Sequence, residues 1–108
     1  MKTIRIGEVV KQLNGKPQRF SEDGIERDMT VRDILIELYP ALGGKNKGDS
    51  LSLSATMHKI YDCRDESIQL EDHDCAVIEA AIDASNARAW VQAELATVFS
   101  EAKRSLHI

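Results

Sequence analysis

The sequence predicts an α-dominated α+β domain, a short N-terminal strand or hairpin packed against about four helices. Three observations predict it. Apolar residues recur at spacings of three and four in residues 31–39, after Leu51, from Cys75 to Ile82 and from Val91 to Leu106, the period of helices with one buried face. Thr3-Ile4-Arg5-Ile6 alternates apolar and polar instead, as a half-buried strand does. Ser21-Glu22-Asp23-Gly24 is a turn signal between Phe20 and Ile25, where glycine supplies a positive φ. A chain of 108 residues is the size of one domain, taken here as 1–108, and either half alone would bury too little apolar surface.

The elements follow in order. After the strand at 3–6, residues 8–13 read as a helical turn closed by Asn14-Gly15, with Pro17 opposing continuation. Residues 18–28 read as a small hairpin. Thr30 is an N-cap with Asp33 three residues on, and Val31, Ile34, Leu35 and Leu38 form the apolar face of the helix it opens. Pro40 and Gly43-Gly44 stop that helix. Residues 43–50 are polar and glycine-containing and read as a mobile surface loop, the one candidate linker. A helix starts near Leu51, capped by Ser52 or Ser54, with Met57, Ile60 and Tyr61 inward. Residues 62–66 form an acidic turn and 67–70 an extended segment. Glu71-Asp72 opens a helix rich in acids at its start, as the helix dipole favours, with Cys75, Val77, Ile78, Ala81 and Ile82 as its core face. The last helix runs over 87–104 on the stripe Val91, Leu95, Val98, Ala102 and Leu106, with Lys103 and Arg104 at its C-terminal end.

Charge is −4 overall but uneven. Lys2, Arg5, Lys11, Lys16 and Arg19 face a single acid, Glu8, in residues 1–19, giving a candidate basic surface. Asp62, Asp65, Glu66, Glu71, Asp72 and Asp74 lie in a stretch whose one base is Arg64, giving a candidate acidic surface. Such asymmetry steers association with a charged partner. The overall acidity argues against general nucleic-acid binding, which needs a basic face. Cys63 and Cys75 read as reduced thiols of a cytoplasmic chain, and the apolar runs are too short for a membrane span.

No catalytic constellation emerges. An EF-hand register with Ile68 at its apolar position puts Tyr61 and Cys63 where carboxylates belong and Glu66 where glycine is needed. Cys63, His73 and Cys75 lack the paired spacing of a zinc site. His58 and His107 add no nucleophile–base pair, and phosphate loops and nucleophile elbows are absent from the sequence. Ile6-Gly7-Glu8-Val9-Val10-Lys11 is similar to the first helix of a helix-turn-helix, but Asn14-Gly15-Lys16-Pro17 and an acidic turn stand where a recognition helix belongs. The expectation is therefore no enzyme, no metal and no cofactor. Trp90, the single tryptophan, sits at the edge of its helix's stripe and is the candidate interface aromatic. With Phe99 on the same helix it also points to a possible homodimer.

Residues 1–13 followed by Asn14-Gly15-Lys16-Pro17 resemble the opening strand, helix and Asn/Asp-Gly-Lys-Pro turn of a family of small, mostly uncharacterised proteins of tailed bacteriophages and prophages. Glu22-Asp23-Gly24 leading to Thr30-Val31-Arg32-Asp33-Ile34-Leu35 resembles that family's Asp-Gly-Lys turn followed by Thr-Leu-Arg-Asp-Val-Leu. Ile60-Tyr61, Ile68-Gln69-Leu70-Glu71-Asp72 and Ile78 are similar to its helix ending in Ile-Tyr, its short Val-Glu-Leu segment and its helix with a paired Leu-Ile. Pro40, the 43–50 loop and the heavier acidic helix start depart from the pattern. The resemblance implies a bacterial cytoplasm and an accessory role in the phage cycle, and it supplies no catalytic residues. The leading expectation is a phage or prophage accessory protein that binds a host or phage protein. The alternatives are a nucleic-acid-associated regulator using the basic N-terminal region and an oligomeric virion or assembly component.

Overall fold

A computed structural model describes residues 1–104. Across these residues the fold is α+β, with four helices and two small antiparallel sheets. Leu106 and His107 lie outside the described residues.

Strand β1 (Lys2–Ile4) is central in a three-stranded sheet, between β4 (Ile68–Leu70) and β5 (Lys103–Arg104). The β1–β4 register pairs Lys2 with Leu70 and Ile4 with Ile68. Ile4 at the end of β1 is fully buried, and so is Ile6 in the tight turn that follows, where its N–H donates to the Ile4 carbonyl at 3.1 Å. Just beyond β1 the Gly7 N–H donates to the Glu66 carbonyl at 2.8 Å. A Cβ at Gly7 would lie 2.8 Å from the Glu66 Cα, so only glycine lets the two backbones meet this closely.

Residues 8–13 are not helical, against expectation. They run extended because their backbone groups find partners far along the chain. Val10 N–H donates to the Met29 carbonyl, and the Val10 carbonyl accepts from Gln18 N–H, both at 2.8 Å. Val10 is fully buried there. The chain then reverses in a tight turn: Gly15 N–H donates to the Gln12 carbonyl, Gln12 N–H to the Lys16 carbonyl, and Lys16 N–H to Asn14 Oδ1. The helix-turn-helix reading of this segment falls with its first helix.

The expected hairpin is present as β2 (Arg19–Glu22) and β3 (Ile25–Asp28). Its two turn residues, Asp23 and Gly24, have φ of 52° and 78°, the paired positive φ of a two-residue hairpin loop whose twist matches that of the strands. Helix α1 (Val31–Leu38) begins at Thr30 with both halves of the capping box formed. A short 3-10 turn over Tyr39–Ala41 ends it.

Helix α2 (Lys47–Asp62) starts four residues before Leu51. The loop expected over 43–50 therefore ends at Asn46. Asn46 is the cap, accepting from Asp49 N–H at 2.9 Å, and neither Ser52 nor Ser54 serves. The early turn escapes a periodicity reading because it holds no apolar residue before Leu51, which is itself exposed. Helix α3 (Asp72–Ala84) follows β4 as expected, with Asp72 and Asp74 in its first turn. Helix α4 (Ala89–Ser100) stops four residues short of the expected end. Lys103 and Arg104 pair with Thr3 and Lys2 instead of extending the helix, so the backbone there completes the open edge of β1.

The buried apolar residues form one cluster, drawn from β1, α1, α2, β4, α3 and α4. Cys75, Ile78, Ala81 and Ile82 sit in it, as do Leu95, Val98 and Phe99. Val91 and Ala102 pack at its margin.

Candidate protein-interaction surface

The β1–β4 register decides where the charged residues go. It lays the N-terminus along the acidic segment. The amino group of Met1 stands 3.5 Å from the Asp72 carboxylate, and Gly7 abuts Glu66. The two charged regions therefore touch at their ends and do not form separate poles. Asp62 ends α2, Asp65 and Glu66 occupy the turn after it, Glu71 is the residue before α3, and Asp72 and Asp74 open that helix. These acids are spread over a turn and a helix start and do not converge. Among the described residues no three of His, Cys, Asp or Glu come together to hold a metal ion.

The basic residues scatter too. Arg5 pairs with Glu101 at 3.1 Å and Glu8 at 3.7 Å, and Arg19 pairs with Asp28 at 2.6 Å. Lys2 lies in β1 and Lys16 in the tight turn. Lys11 borders a groove. Burial pushes the Cys75 thiol above its usual pKa, with Lys2 opposing and Glu79, Asp72 and Asp74 adding to the rise; this cysteine is a core residue.

Trp90 opens onto two grooves. It stands in the first turn of α4 and is 40% exposed. The larger groove, about 660 Å³, runs between the turn at residues 11–18 and the outer side of α4, with Leu13 and Lys11 on one wall and Ala93, Glu94 and Thr97 on the other. The smaller, about 400 Å³, lies on the other side of Trp90 against Phe20, Met29, Leu38 and Val91. Leu13 is fully exposed, held out on the hydrogen-bonded turn. A large apolar side chain presented to water on a hydrogen-bonded turn, beside a half-exposed tryptophan, is the surface chemistry of a protein contact. Glu94 shares the groove. Its carboxyl is pushed above the usual range by burial first, then by Glu8 and Glu101. Among the described residues neither Lys11 nor Glu94 is ion-paired.

A second cluster adjoins this surface through Phe20, which borders the smaller groove. Asp33 is buried, yet it receives both nitrogens of the Arg27 fork at 2.6 and 2.7 Å and the Thr30 N–H at 2.9 Å. Burial raises its carboxyl, and the bonds from Arg27 and Thr30 more than offset that, leaving it below the usual range. Arg27 also reaches Glu22 at 2.9 Å and stacks over Phe20, 4.8 Å from the ring centre. Next to it a cleft of about 470 Å³ is bordered by Arg32, Tyr61 and Arg64, and Arg32 donates to the Cys63 carbonyl at 2.6 Å. The sequence contains one trace of the Arg27–Asp33 lock, the capping box; the arginine comes from the neighbouring strand and leaves no local signal.

Compared with known proteins, the chain matches no protein-family model, no curated protein and no solved structure. Among the described residues no helix is long and apolar enough to cross a membrane.

Proposed function

We propose that this chain is a phage- or prophage-encoded accessory protein of the bacterial cytoplasm that acts by binding protein, without catalysis. The phage assignment rests on the sequence resemblance. The binding role rests on one observation, the Trp90–Leu13 face with its two grooves. Tryptophan is among the residue types most enriched at binding hot spots, and a fully exposed leucine on a tight turn has no evident role in the fold. The occupant is a protein surface of definite chemistry. It brings an apolar knob for the groove, an acid for Lys11 and a base for Glu94. A nucleic-acid partner fits less well, because Arg5 and Arg19 are committed to Glu8, Glu101 and Asp28.

The test is affinity recovery from nuclease-treated bacterial lysate, with the tagged chain co-expressed with an untagged copy. A dominant protein companion is expected with the wild type, and Trp90→Ala should reduce its recovery at least tenfold, the scale of a hot-spot truncation of about 2 kcal/mol. Tyr61, expected inward, is instead 58% exposed on another face, and Tyr61→Ala should leave recovery unchanged. Undiminished recovery with Trp90→Ala overturns the reading.

A further inference from the structure

We infer that the protein covering the Trp90–Leu13 face is a second copy of this chain, joined about a twofold axis. The inference rests on the reading of that face as a protein-binding surface and names its partner. A twofold contact requires one patch to complement itself, residue i meeting residue j and j meeting i. Three features of this face meet that demand together. It carries a knob, Leu13, wholly exposed and held on a hydrogen-bonded turn. It carries the hole, the groove of about 660 Å³ between that turn and α4, beside Trp90. And it carries one charge of each sign, Lys11 on the turn and Glu94 on the helix, on opposite walls of that groove and unpaired among the described residues. Rotated onto itself, the face sets Leu13 of each copy into the partner's groove and Lys11 of each against the other's Glu94.

The apolar patch extends beyond the one groove. A stable interface takes about 800 Å² from each side, more than one groove supplies. The second apolar groove, continuous through Trp90 to Val91, Met29 and Phe20, extends the patch. Glu94 is half-buried with Glu8 and Glu101 nearby; Arg5 pairs with both of those acids, and among the described residues Glu94 has no cation of its own, so it is open to one from a second copy. An unrelated partner would have to bring both charges in the right order; a second copy has them by construction.

The experiment is sedimentation equilibrium on the full chain, with Lys11→Glu and Glu94→Lys measured separately and then mixed. Wild type is expected to dimerise. Each variant alone places like charges across both contacts and should sediment as a monomer at the concentration where wild type is dimeric. The 1:1 mixture should form a heterodimer. In it the carboxylate introduced at position 11 of one variant meets the ammonium introduced at position 94 of the other, and the two native side chains, Lys11 and Glu94, meet at the second contact. Unchanged circular dichroism of both variants confirms that each is folded. Dimers that persist in either single variant, or a mixture that stays monomeric, overturn the inference, since an effect confined within one chain cannot be restored by mixing. A wild type that is monomeric at every concentration overturns it as well. In that case a companion recovered in a Trp90-dependent way leaves the binding role standing with another partner, whereas its absence removes both.

Discussion

Asp33→Ala should lower the unfolding free energy by about 3 kcal/mol, the cost of leaving a paired charge without its partner together with a lost helix cap. The value sits at the low end of the range for buried pairs because Arg27 is partly exposed and regains some hydration. Against a typical total of about 5–15 kcal/mol this is a large fraction, and it reads directly as a lower midpoint in urea. Four bonds go at once: two from the Arg27 fork, one from the Thr30 backbone and one from the Thr30 hydroxyl. The pH dependence has a definite sign. The folded-state pKa of Asp33 is depressed below 3.8, so its contribution is fully present above that value and is lost as pH falls through the folded pKa. The gap between wild type and Asp33→Ala should therefore be constant near neutrality and narrow at strongly acid pH. A loss below about 1 kcal/mol at neutral pH, the worth of the cap alone, would mean that the Arg27 fork adds nothing.

Leu35→Ala is the second large loss expected, again about 3 kcal/mol, within the range for truncating a buried leucine. Leu35 is fully buried in the single apolar cluster. Helix α1 has only eight residues, too few to be stable without tertiary packing, so it depends on this side chain for its seat on the core. The denaturant midpoint should fall with the slope unchanged, because the surface exposed on unfolding is nearly the same. A change under about 1 kcal/mol, well below the usual cost of such a truncation, would mean that the site collapses around the missing methyls and that α1 is held by its cap and ion pair instead.

What is legible in the sequence is what is local. The α1 cap needs only Thr30 and Asp33, and the hairpin needs only Asp23-Gly24 between two extended runs; both form where the pattern puts them. The core face of α3 follows from spacing alone. Residues 8–13 mislead because their conformation is set by hydrogen bonds to Gln18 and Met29, and two adjacent valines fit helix and strand patterns alike. The end of α4 is hidden for a related reason: the open edge of β1, near the opposite end of the sequence, takes up Lys103 and Arg104.

The candidate site divides the same way. Trp90 stands out as the lone tryptophan at the edge of a stripe, and it is half-exposed on a groove. The opposition of a basic end and an acidic middle does not survive the β1–β4 register, which sets Met1 against Asp72. Of the five basic candidates only Lys11 borders the Trp90 groove, and its counterpart Glu94 carries no signal in the sequence. Leu13 reads as the last residue of a helical turn, since nothing in a sequence distinguishes a leucine that turns inward from one held out in water.

Trp90 provides its own most direct measurement. It is the single tryptophan and lies on the face in question, so its fluorescence emission reports whether that face is covered. Recorded against protein concentration, the emission of the wild type should move to shorter wavelength as copies associate, while that of Lys11→Glu stays at the position of the dilute protein. An emission maximum that does not move from dilute to concentrated solution would contradict the twofold contact, because Trp90 would then remain as open to water among its own copies as it is alone.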